Sequence, residues 1–183
     1  MRKRFTGMLA AAVLVLLAAG AAAAQTIPAA AAGKGPGETI SELYGLVSAE
    51  PGRLPDWGKV RACFAKEAVV VIRQSPTRTD LFSLDGFIQD FVDFYNKPFK
   101  RGELTIYPNK AGFTEKVIRM KTFEFWDMAH VLVLYEAAIT GDPRAPQRGI
   151  DSWLLSRRDG KWVVVAITND LITKDHPVPP ELQ

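Results

Sequence analysis

Cysteine and histidine are both scarce in this chain of 183 residues. Cys63 is the only cysteine, so no internal disulfide can form and a packed core must stabilise the fold. A zinc site needs three or four nitrogen or sulfur ligands at defined spacing. The chain has two histidines, His130 and His176, and nothing at such a spacing. We therefore expect neither a metal nor another cofactor.

An excess of charge of one sign is also absent once the N-terminus is set aside. The chain carries 23 Lys and Arg against 20 Asp and Glu, and residues 2–4 supply three of the basic side chains. Without those three, acidic and basic residues are equal in number. The composition therefore gives no support to a nucleic-acid partner or an anionic membrane.

The N-terminal segment has the three parts of a secretory signal. Residues 2–4 are basic, residues 8–20 are apolar, and residues 22–24 are small. A bilayer-spanning helix needs roughly 20 apolar residues and usually a flanking charge, whereas this run decays into alanine. We expect a signal over residues 1–24, with cleavage after Ala24 or Ala32. The mature protein is then periplasmic or secreted, with no membrane attachment.

Residues 25–38 are rich in alanine, glycine and proline, which predicts a flexible lead-in. We place the folded domain at residues 39–174 and a tail at residues 175–183. Three helices open the domain. Ile40 to Val47 has apolar residues at helical spacing, Asp56 caps a short second helix, and Ser83 caps a third whose inner face is rich in aromatics.

Between the second and third helices, residues 68–73 are suited to a strand. After the third helix the period changes from helical to alternating. Four strands are predicted over residues 114–126, 129–140, 149–157 and 161–171, and Asp159-Gly160 is a strong hairpin signal. Helices followed by a meander of antiparallel strands predict an α+β domain, because the helices must bury their apolar faces against the sheet.

Several short segments resemble the nuclear transport factor 2-like superfamily. They are Asp56-Trp57, Phe64, Glu67-Ala68-Val69, Ala129-His130-Val131, Tyr135-Glu136, Arg148-Gly149-Ile150 and Asp159-Gly160-Lys161-Trp162. The resemblance covers nearly all of the mature chain. It implies a cone-shaped, curved antiparallel sheet wrapped around three N-terminal helices, an interior pocket and, commonly, a dimer.

The superfamily includes isomerases, cyclases, dehydratases, hydrolases and members that only bind, so the resemblance leaves the function open. In the isomerases the base is an aspartate at the end of the strand that follows the second helix. Here that stretch, residues 69–73, contains no carboxylate, which disfavours the isomerase mechanism. Tyr44 lies near the family's oxyanion tyrosine but out of step with it, and we expect it to be a core or pocket-wall residue.

Three residues are candidates for acid–base chemistry. Asp151 shares a strand face with Trp153, and a carboxyl beside an indole in an apolar cavity would have a raised pKa. The alternative is that Asp151 pairs with Arg73 or Arg119. His130, with Asp127 near it across a turn, is either a proton shuttle or a structural residue of the hairpin. Asp170 on the last strand is the third candidate.

An apolar pocket is predicted from the large number of aromatic residues. The residues expected to line it are Tyr44, Trp57, Phe91, Tyr95, Phe123, Tyr135 and Trp153. The favoured hypothesis is an exported, non-catalytic domain that binds a small apolar or aromatic molecule or a protein partner there. The alternative is a cofactor-independent acid–base enzyme of the isomerase, cyclase or dehydratase kind. Because the last strand is apolar on both faces, we also expect a homodimer through the sheet.

Overall fold

The computed structural model describes residues 33–75 and 77–183 of the chain. The predicted signal, residues 1–24, and residues 25–32 of the predicted lead-in lie outside these ranges. Within the ranges, no helix is both long and apolar enough to cross a membrane.

Four α-helices are present in the described part of the chain. They are α1 (Pro36–Val47), α2 (Trp57–Ala62), α3 (Leu84–Asn96) and the single turn α4 (Pro108–Ala111). Helix α1 begins three residues before the expected domain start at residue 39. Pro36 opens it and is buried, and proline fits a first turn because no hydrogen bond is required of its nitrogen there. Residues 36–38 therefore belong to the folded domain.

The predicted helix caps are confirmed. One carboxylate oxygen of Asp56 accepts hydrogen bonds from the backbone N–H groups of Gly58 and Lys59, both at 3.1 Å. The Ser83 hydroxyl accepts from the N–H of Gly86 at 3.2 Å. Each cap satisfies donors that have no partner within the helix, which is worth about 1 kcal/mol.

The residues that the structure describes form eight strands. They are β1 (Phe64–Ser75), β2 (Arg78–Ser83), β3 (Phe99–Arg101), β4 (Leu104–Ile106), β5 (Phe113–Phe125), β6 (Met128–Ile139), β7 (Gln147–Arg158) and β8 (Lys161–Leu171). The last four match the predicted meander to within two residues at each end. At the β7–β8 turn, Asp159 and Gly160 both have positive φ, 50° and 74°, as a tight two-residue hairpin requires.

Six strands form one sheet in the order β2-β1-β8-β7-β6-β5. The α+β class is confirmed, but the sheet is mixed rather than wholly antiparallel. Strand β1 runs parallel to β8, and β2, which was not predicted, extends the edge beyond β1. Strands β3 and β4 form a separate two-stranded ribbon.

Helices α1 and α3 cover the inner face of the large sheet. Helix α1 lies close to β5, since a Cβ added at Gly37 would be 3.1 Å from the Met120 sulfur and 3.2 Å from the Thr122 hydroxyl. The core between helices and sheet is made of buried apolar side chains from both layers: Ile40, Leu43, Val47, Phe87, Ile88, Val131, Val133, Trp153, Leu155, Val164 and Ile167.

The predicted tail, residues 175–183, is part of the folded structure. Its last residues form a 3₁₀ turn, Pro180–Leu182, that packs against β5 and β6. Leu182 is buried, and the burial of this apolar side chain explains why the end of the chain is held in place.

Candidate functional site

A cavity of about 770 Å³ lies between α1, α3 and the inner face of the sheet. Phe87, Phe91 and Phe94 of α3 form an aromatic wall on one side. The sheet supplies the other side from β5, β6, β7 and β8. The loop that joins β6 to β7 and the strand β3 lie at the edge of the cavity.

Asp151 and Trp153 reach this cavity from β7. They alternate with outward residues and so point to the inner face, as the sequence predicted. Asp151 is 6% exposed and Trp153 is 4% exposed. The alternative pairing of Asp151 with an arginine is not observed, because Arg73 donates to Asp170 at 3.2 Å and Asp151 has no ion pair with any described residue.

The hydroxyl of Tyr44 donates a hydrogen bond to Oδ2 of Asp151. Tyr44 lies on the face of α1 that also carries Ile40, Leu43 and Val47, so helical spacing fixes its inward direction. The ring of Trp153 meets the Tyr44 ring edge-on, with 6.0 Å between centroids. Burial, and then the charge of Asp151, hold the pKa of Tyr44 well above its usual range. Tyr44 is therefore a neutral donor.

The Asp151 carboxyl is the most perturbed acid that the sequence identified. Burial raises its pKa to about 7, although the hydrogen bond from Tyr44 and the nearby Asn169 amide act in the opposite direction. Its second oxygen, Oδ1, and the indole nitrogen of Trp153 are buried and have no hydrogen-bond partner among the described residues. Buried polar atoms without partners are uncommon and indicate where a ligand or a water binds.

Glu115 is a second acid of the site, and the sequence analysis missed it. It lies on β5 and lines the cavity. Burial of the carboxyl, and then the negative charge of Asp151, raise its pKa to about 8. In the sequence it stands between Thr114 and Lys116 and is typical of a solvated strand end. The signal was the alternation Phe113, Glu115, Val117, which puts the carboxyl on the same face as two apolar residues.

Ser48 fixes Glu115 relative to α1. The backbone N–H of Glu115 donates to the Ser48 hydroxyl oxygen at 2.8 Å, and the same hydroxyl lies 2.9 Å from the carbonyl oxygen of Tyr44. Tyr44 and Glu115 are thereby tied to one side chain at the end of α1.

Tyr135 and Asn169 complete the polar end of the cavity. The Asn169 amide donates to the Tyr135 hydroxyl at 3.4 Å and accepts from the backbone N–H of Arg73 at 2.6 Å. The Tyr135 ring lies over Gly149 on the neighbouring strand, where a Cβ would be 2.5 Å from the phenol oxygen. Glycine at 149 is therefore what allows this ring position.

Two predicted catalytic residues lie away from the cavity. His130 alternates with the inward residues Val131 and Val133, so it points to the outer face, where Nε2 lies 2.9 Å from the Ser152 hydroxyl. Asp170 follows the inward residue Asn169, is more than half exposed, and pairs with Arg73. The expectation that these two residues belong to the site is wrong, because side chains alternate between the two faces of a sheet and both lie on the outer face.

The predicted pocket residues divide into three groups. Tyr44, Phe91, Tyr135 and Trp153 line the cavity. Trp57 and Tyr95 pack on each other at 5.9 Å, and the Tyr95 hydroxyl donates to the carbonyl oxygen of Val47 at 2.7 Å, so both belong to the core. Phe123 is 49% exposed and stacks on His130 on the outer face.

The described ranges contain no cluster of three or more His, Cys, Asp or Glu side chains that could hold a metal ion. The expectation that the site works without a cofactor stays a prediction.

No protein-family model matches the chain, and no curated protein matches it. Solved structures do. A protein of unknown function with a cystatin-like fold from Nostoc punctiforme is 12% identical, with 75% of this chain and 88% of that chain covered and a TM-score of 0.54. Two NTF2-like proteins of unknown function also match. The one from Shewanella baltica is 15% identical, with 74% and 93% covered and a TM-score of 0.46. The one from Pseudomonas putida is 12% identical, with 70% and 82% covered and a TM-score of 0.47.

The resemblance predicted from the sequence is confirmed at the level of the fold. The mixed six-stranded sheet, packed on its helices, matches the Nostoc punctiforme protein of cystatin-like fold. The identities are low and the three proteins named above are of unknown function, so these matches describe architecture only.

Proposed function

We propose that this domain of nuclear transport factor 2-like fold binds a small, mainly apolar molecule in its cavity and that Asp151 transfers a proton to or from it. One observation carries the proposal. A carboxyl that is almost wholly buried lines the cavity, is held through one oxygen by Tyr44, and has a second oxygen without a partner in the described chain. A pKa near neutrality suits a general acid or base.

Glu115 supports the same assignment. Two carboxyls whose negative charges repel each other do not ionise independently. The pair therefore keeps one proton over a range of pH. The ionised member accepts a proton while the neutral member donates a hydrogen bond. The pKa values of about 7 for Asp151 and about 8 for Glu115 favour Asp151 as the base and Glu115 as the donor.

The walls of the cavity indicate what kind of molecule would bind. A volume of about 770 Å³ lies within the range of small-molecule sites, which are mostly apolar with a few placed polar groups. Phe87, Phe91 and Phe94 favour an aromatic or aliphatic body. A carbonyl next to an acidic C–H bond is the functional group that a paired base and hydrogen-bond donor would act on.

In this reaction the Asp151 carboxylate takes the proton from the carbon next to the carbonyl. The electron pair of the C–H bond forms the carbon–carbon double bond of the enolate, and its negative charge is received by the carbonyl oxygen. Neutral Glu115 donates a hydrogen bond to that oxygen. Return of a proton to the same carbon completes an exchange. Where the enolate is conjugated with a second double bond, return of the proton to the far carbon of the conjugated system completes an isomerisation.

Binding without chemistry was the favoured hypothesis from the sequence. It shares the apolar ligand with the present proposal and lacks the proton transfer. Glu115 favours the enzyme, because it lines the same cavity as Asp151, and a site that only binds an apolar molecule gains nothing from two acids.

Exchange of hydrogen for deuterium tests the proposal. The probe is 2-tetralone, an apolar bicyclic ketone with acidic C–H bonds, followed by proton NMR in deuterated buffer. We expect the protein to accelerate exchange, with a rate that rises as pH increases through about 7. Asp151→Asn should lower the protein-catalysed rate about 100-fold or more, since it removes the general base.

The control is Asp175→Asn, which removes an exposed carboxylate remote from the cavity. It should leave the exchange rate unchanged. If 2-tetralone binds to the wild-type protein and exchanges no faster than in buffer, or if Asp151→Asn exchanges as fast as wild type, proton transfer by Asp151 is wrong.

We also propose that the protein acts outside the cytoplasm. The support is the signal-like order of basic, apolar and small residues over residues 1–24. Intact-mass measurement of the protein from cell fractions tests this, because export predicts a chain that begins after Ala24 or Ala32. A full-length chain in the cytoplasmic fraction would contradict it.

A further inference from the structure

Arg101, on β3, lines the cavity together with Phe99 and residues of the loop between β6 and β7. Its guanidinium lies over the Phe99 ring, with 4.4 Å from the central carbon to the ring centroid. Its Nε is buried and has no hydrogen-bond partner within the described residues. Its one described hydrogen bond is weak, from Nη1 to the carbonyl oxygen of Lys100 at 3.4 Å.

The carboxylate nearest to Arg101 is already engaged. Asp142, in the loop between β6 and β7, accepts from Nη2 of Arg144 at 2.8 Å and from Nε of the same residue at 3.1 Å. Nε of Arg101 lies 3.8 Å from Asp142, which is too far for a hydrogen bond. Arg144 thus takes the hydrogen bonds of this carboxylate, and Arg101 keeps only a long ion pair with it.

The remaining cations that line the cavity have close carboxylate partners. Arg73 donates to Asp170 at 3.2 Å, and Lys97 donates to Asp93 at 2.6 Å. Among the described cations of the cavity, Arg101 is therefore the one whose hydrogen-bonding capacity is not used by a carboxylate. A partly buried guanidinium with an unused donor is costly unless something binds it.

We propose that Arg101 binds the anionic end of the cavity's ligand, and that this ligand is an apolar carboxylic acid with a single negative charge. The proposal rests on the proposed function, because it takes the cavity as the ligand site and assigns the substrate class. The planar guanidinium matches the two oxygens of a carboxylate, and its stacking on Phe99 fixes the orientation before the ligand arrives.

The charges around the cavity favour one carboxylate and no more. Asp90 and Asp93 of α3 also line it, and Asp90 is hydrogen-bonded by the neutral amide of Gln74 at 3.2 Å. A polyanion would be repelled by these groups. A carboxylate at the Asp151 end would face ionised Asp151 or Glu115, so the anionic group belongs at Arg101 and the reacting group at Asp151.

Binding of matched acids and amides tests this proposal. The probes are phenylalkanoic acids of increasing chain length, each compared with its primary amide, and calorimetry on the whole mature chain at pH 7 gives the affinities. We expect at least one acid of the series to bind about tenfold or more tightly than its amide, the size expected for a hydrogen-bonded ion pair. Arg101→Gln should abolish that preference by weakening the binding of the acid far more than the binding of the amide.

Two further variants sharpen the result. Arg101→Lys keeps the charge and loses the fork, so it should retain part of the preference. Arg78→Gln, which removes an exposed cation outside the cavity, should retain all of it. Thermal unfolding of each variant establishes that it is folded.

Equal affinity of acids and amides for the wild-type protein would overturn the proposal. So would a preference that survives Arg101→Gln, or failure of every member of the series to bind at millimolar concentration. These outcomes are separate from those of the exchange experiment. Acid selectivity that depends on Arg101, found together with no catalysed exchange of 2-tetralone, would support the anion site and contradict proton transfer.

Discussion

At the scale of single residues, the two buried acids link the site to the stability of the protein. An aspartate has an ordinary pKa of about 3.9 and a glutamate of about 4.3, whereas burial raises the pKa of Asp151 to about 7 and that of Glu115 to about 8. The folded protein therefore binds more protons than the unfolded chain between about pH 4 and pH 8. The folded protein is more stable when these two carboxyls are neutral, and their ionisation destabilises it.

This linkage predicts that the free energy of unfolding falls as the pH rises from about 4 to about 8. The fall should be on the order of a few kcal/mol for the two acids together. Chemical denaturation at a series of pH values measures it. Asp151→Asn should flatten the curve between about pH 4 and pH 7, because the amide has no charged form.

Glu103→Gln is the matched control for this experiment, since Glu103 is exposed on the β3–β4 turn. It should leave the shape of the pH curve unchanged. A wild-type free energy of unfolding that stays constant or rises over this pH interval would show that burial does not raise the pKa values of the two carboxyls.

The roles of Tyr44 and Arg101 depend on the hydrogen bonds of the residues around them. Tyr44 keeps its proton and gives a fixed hydrogen bond to Asp151. Arg101 has its nearest carboxylate held by Arg144. Neither relationship is local in sequence, as 107 positions separate Tyr44 from Asp151.

At the scale of elements, the pairing of β6 with β7 builds the polar end of the cavity. Tyr135 and Gly149 lie opposite each other in this pairing, and the absence of a side chain at Gly149 leaves room for the tyrosine ring. The ring lies beside Tyr44, with 6.2 Å between centroids. One glycine in a strand therefore sets the position of an aromatic residue in the cavity wall.

We predict that Gly149→Ala displaces Tyr135, because the new methyl carbon would lie 2.5 Å from its phenol oxygen. Overpacking of this kind costs about 1–3 kcal/mol, which chemical denaturation measures. Gly45→Ala is the matched control. Gly45 lies within α1 with nothing within 4 Å of the added carbon, so alanine should stabilise the helix by about 0.5–1 kcal/mol. Equal effects of the two substitutions would contradict the close approach at Gly149.

At the scale of the whole molecule, the outer face of the sheet is apolar and exposed. Val69, Leu81, Phe123 and Leu154 lie on it, and each is at least 45% exposed. The register of the sheet puts them opposite to the buried face, since Val69 and Leu154 each pair with Ala166 of the central strand β8. Apolar patches of this kind mark interaction surfaces.

We propose that two copies of the chain associate through this face, as the sequence led us to expect. Sedimentation equilibrium of the mature protein should show a dimer, and Leu154→Glu should shift it toward monomer because it buries a charge in the interface. Leu104→Glu, at a residue of similar exposure on β4, should leave the dimer intact. A wild-type monomer at high micromolar concentration would contradict the proposal.

The sequence by itself determined much of the secondary structure. The change to an alternating period placed β5 to β8, Asp56 and Ser83 marked two helix starts, and Asp159-Gly160 marked a hairpin. Each of these is set by contacts within a few residues along the chain, which is why local pattern is sufficient. The shared inward face of Asp151 and Trp153 followed from the same alternation.

Tertiary structure alone decided the parallel pairing of β1 with β8, the added edge strand β2, and the composition of the site. From the sequence, Glu115 is typical of a polar strand end, and only the packing of β5 against α1 shows that it lines the cavity. His130 is a catalytic candidate from the sequence, and only the sheet shows that it lies on the outer face. Arg101 becomes a candidate anion site only when Arg144 is seen to hold Asp142. These features depend on contacts between segments that are distant in the sequence, because burial, ion pairing and raised pKa values arise only from such contacts.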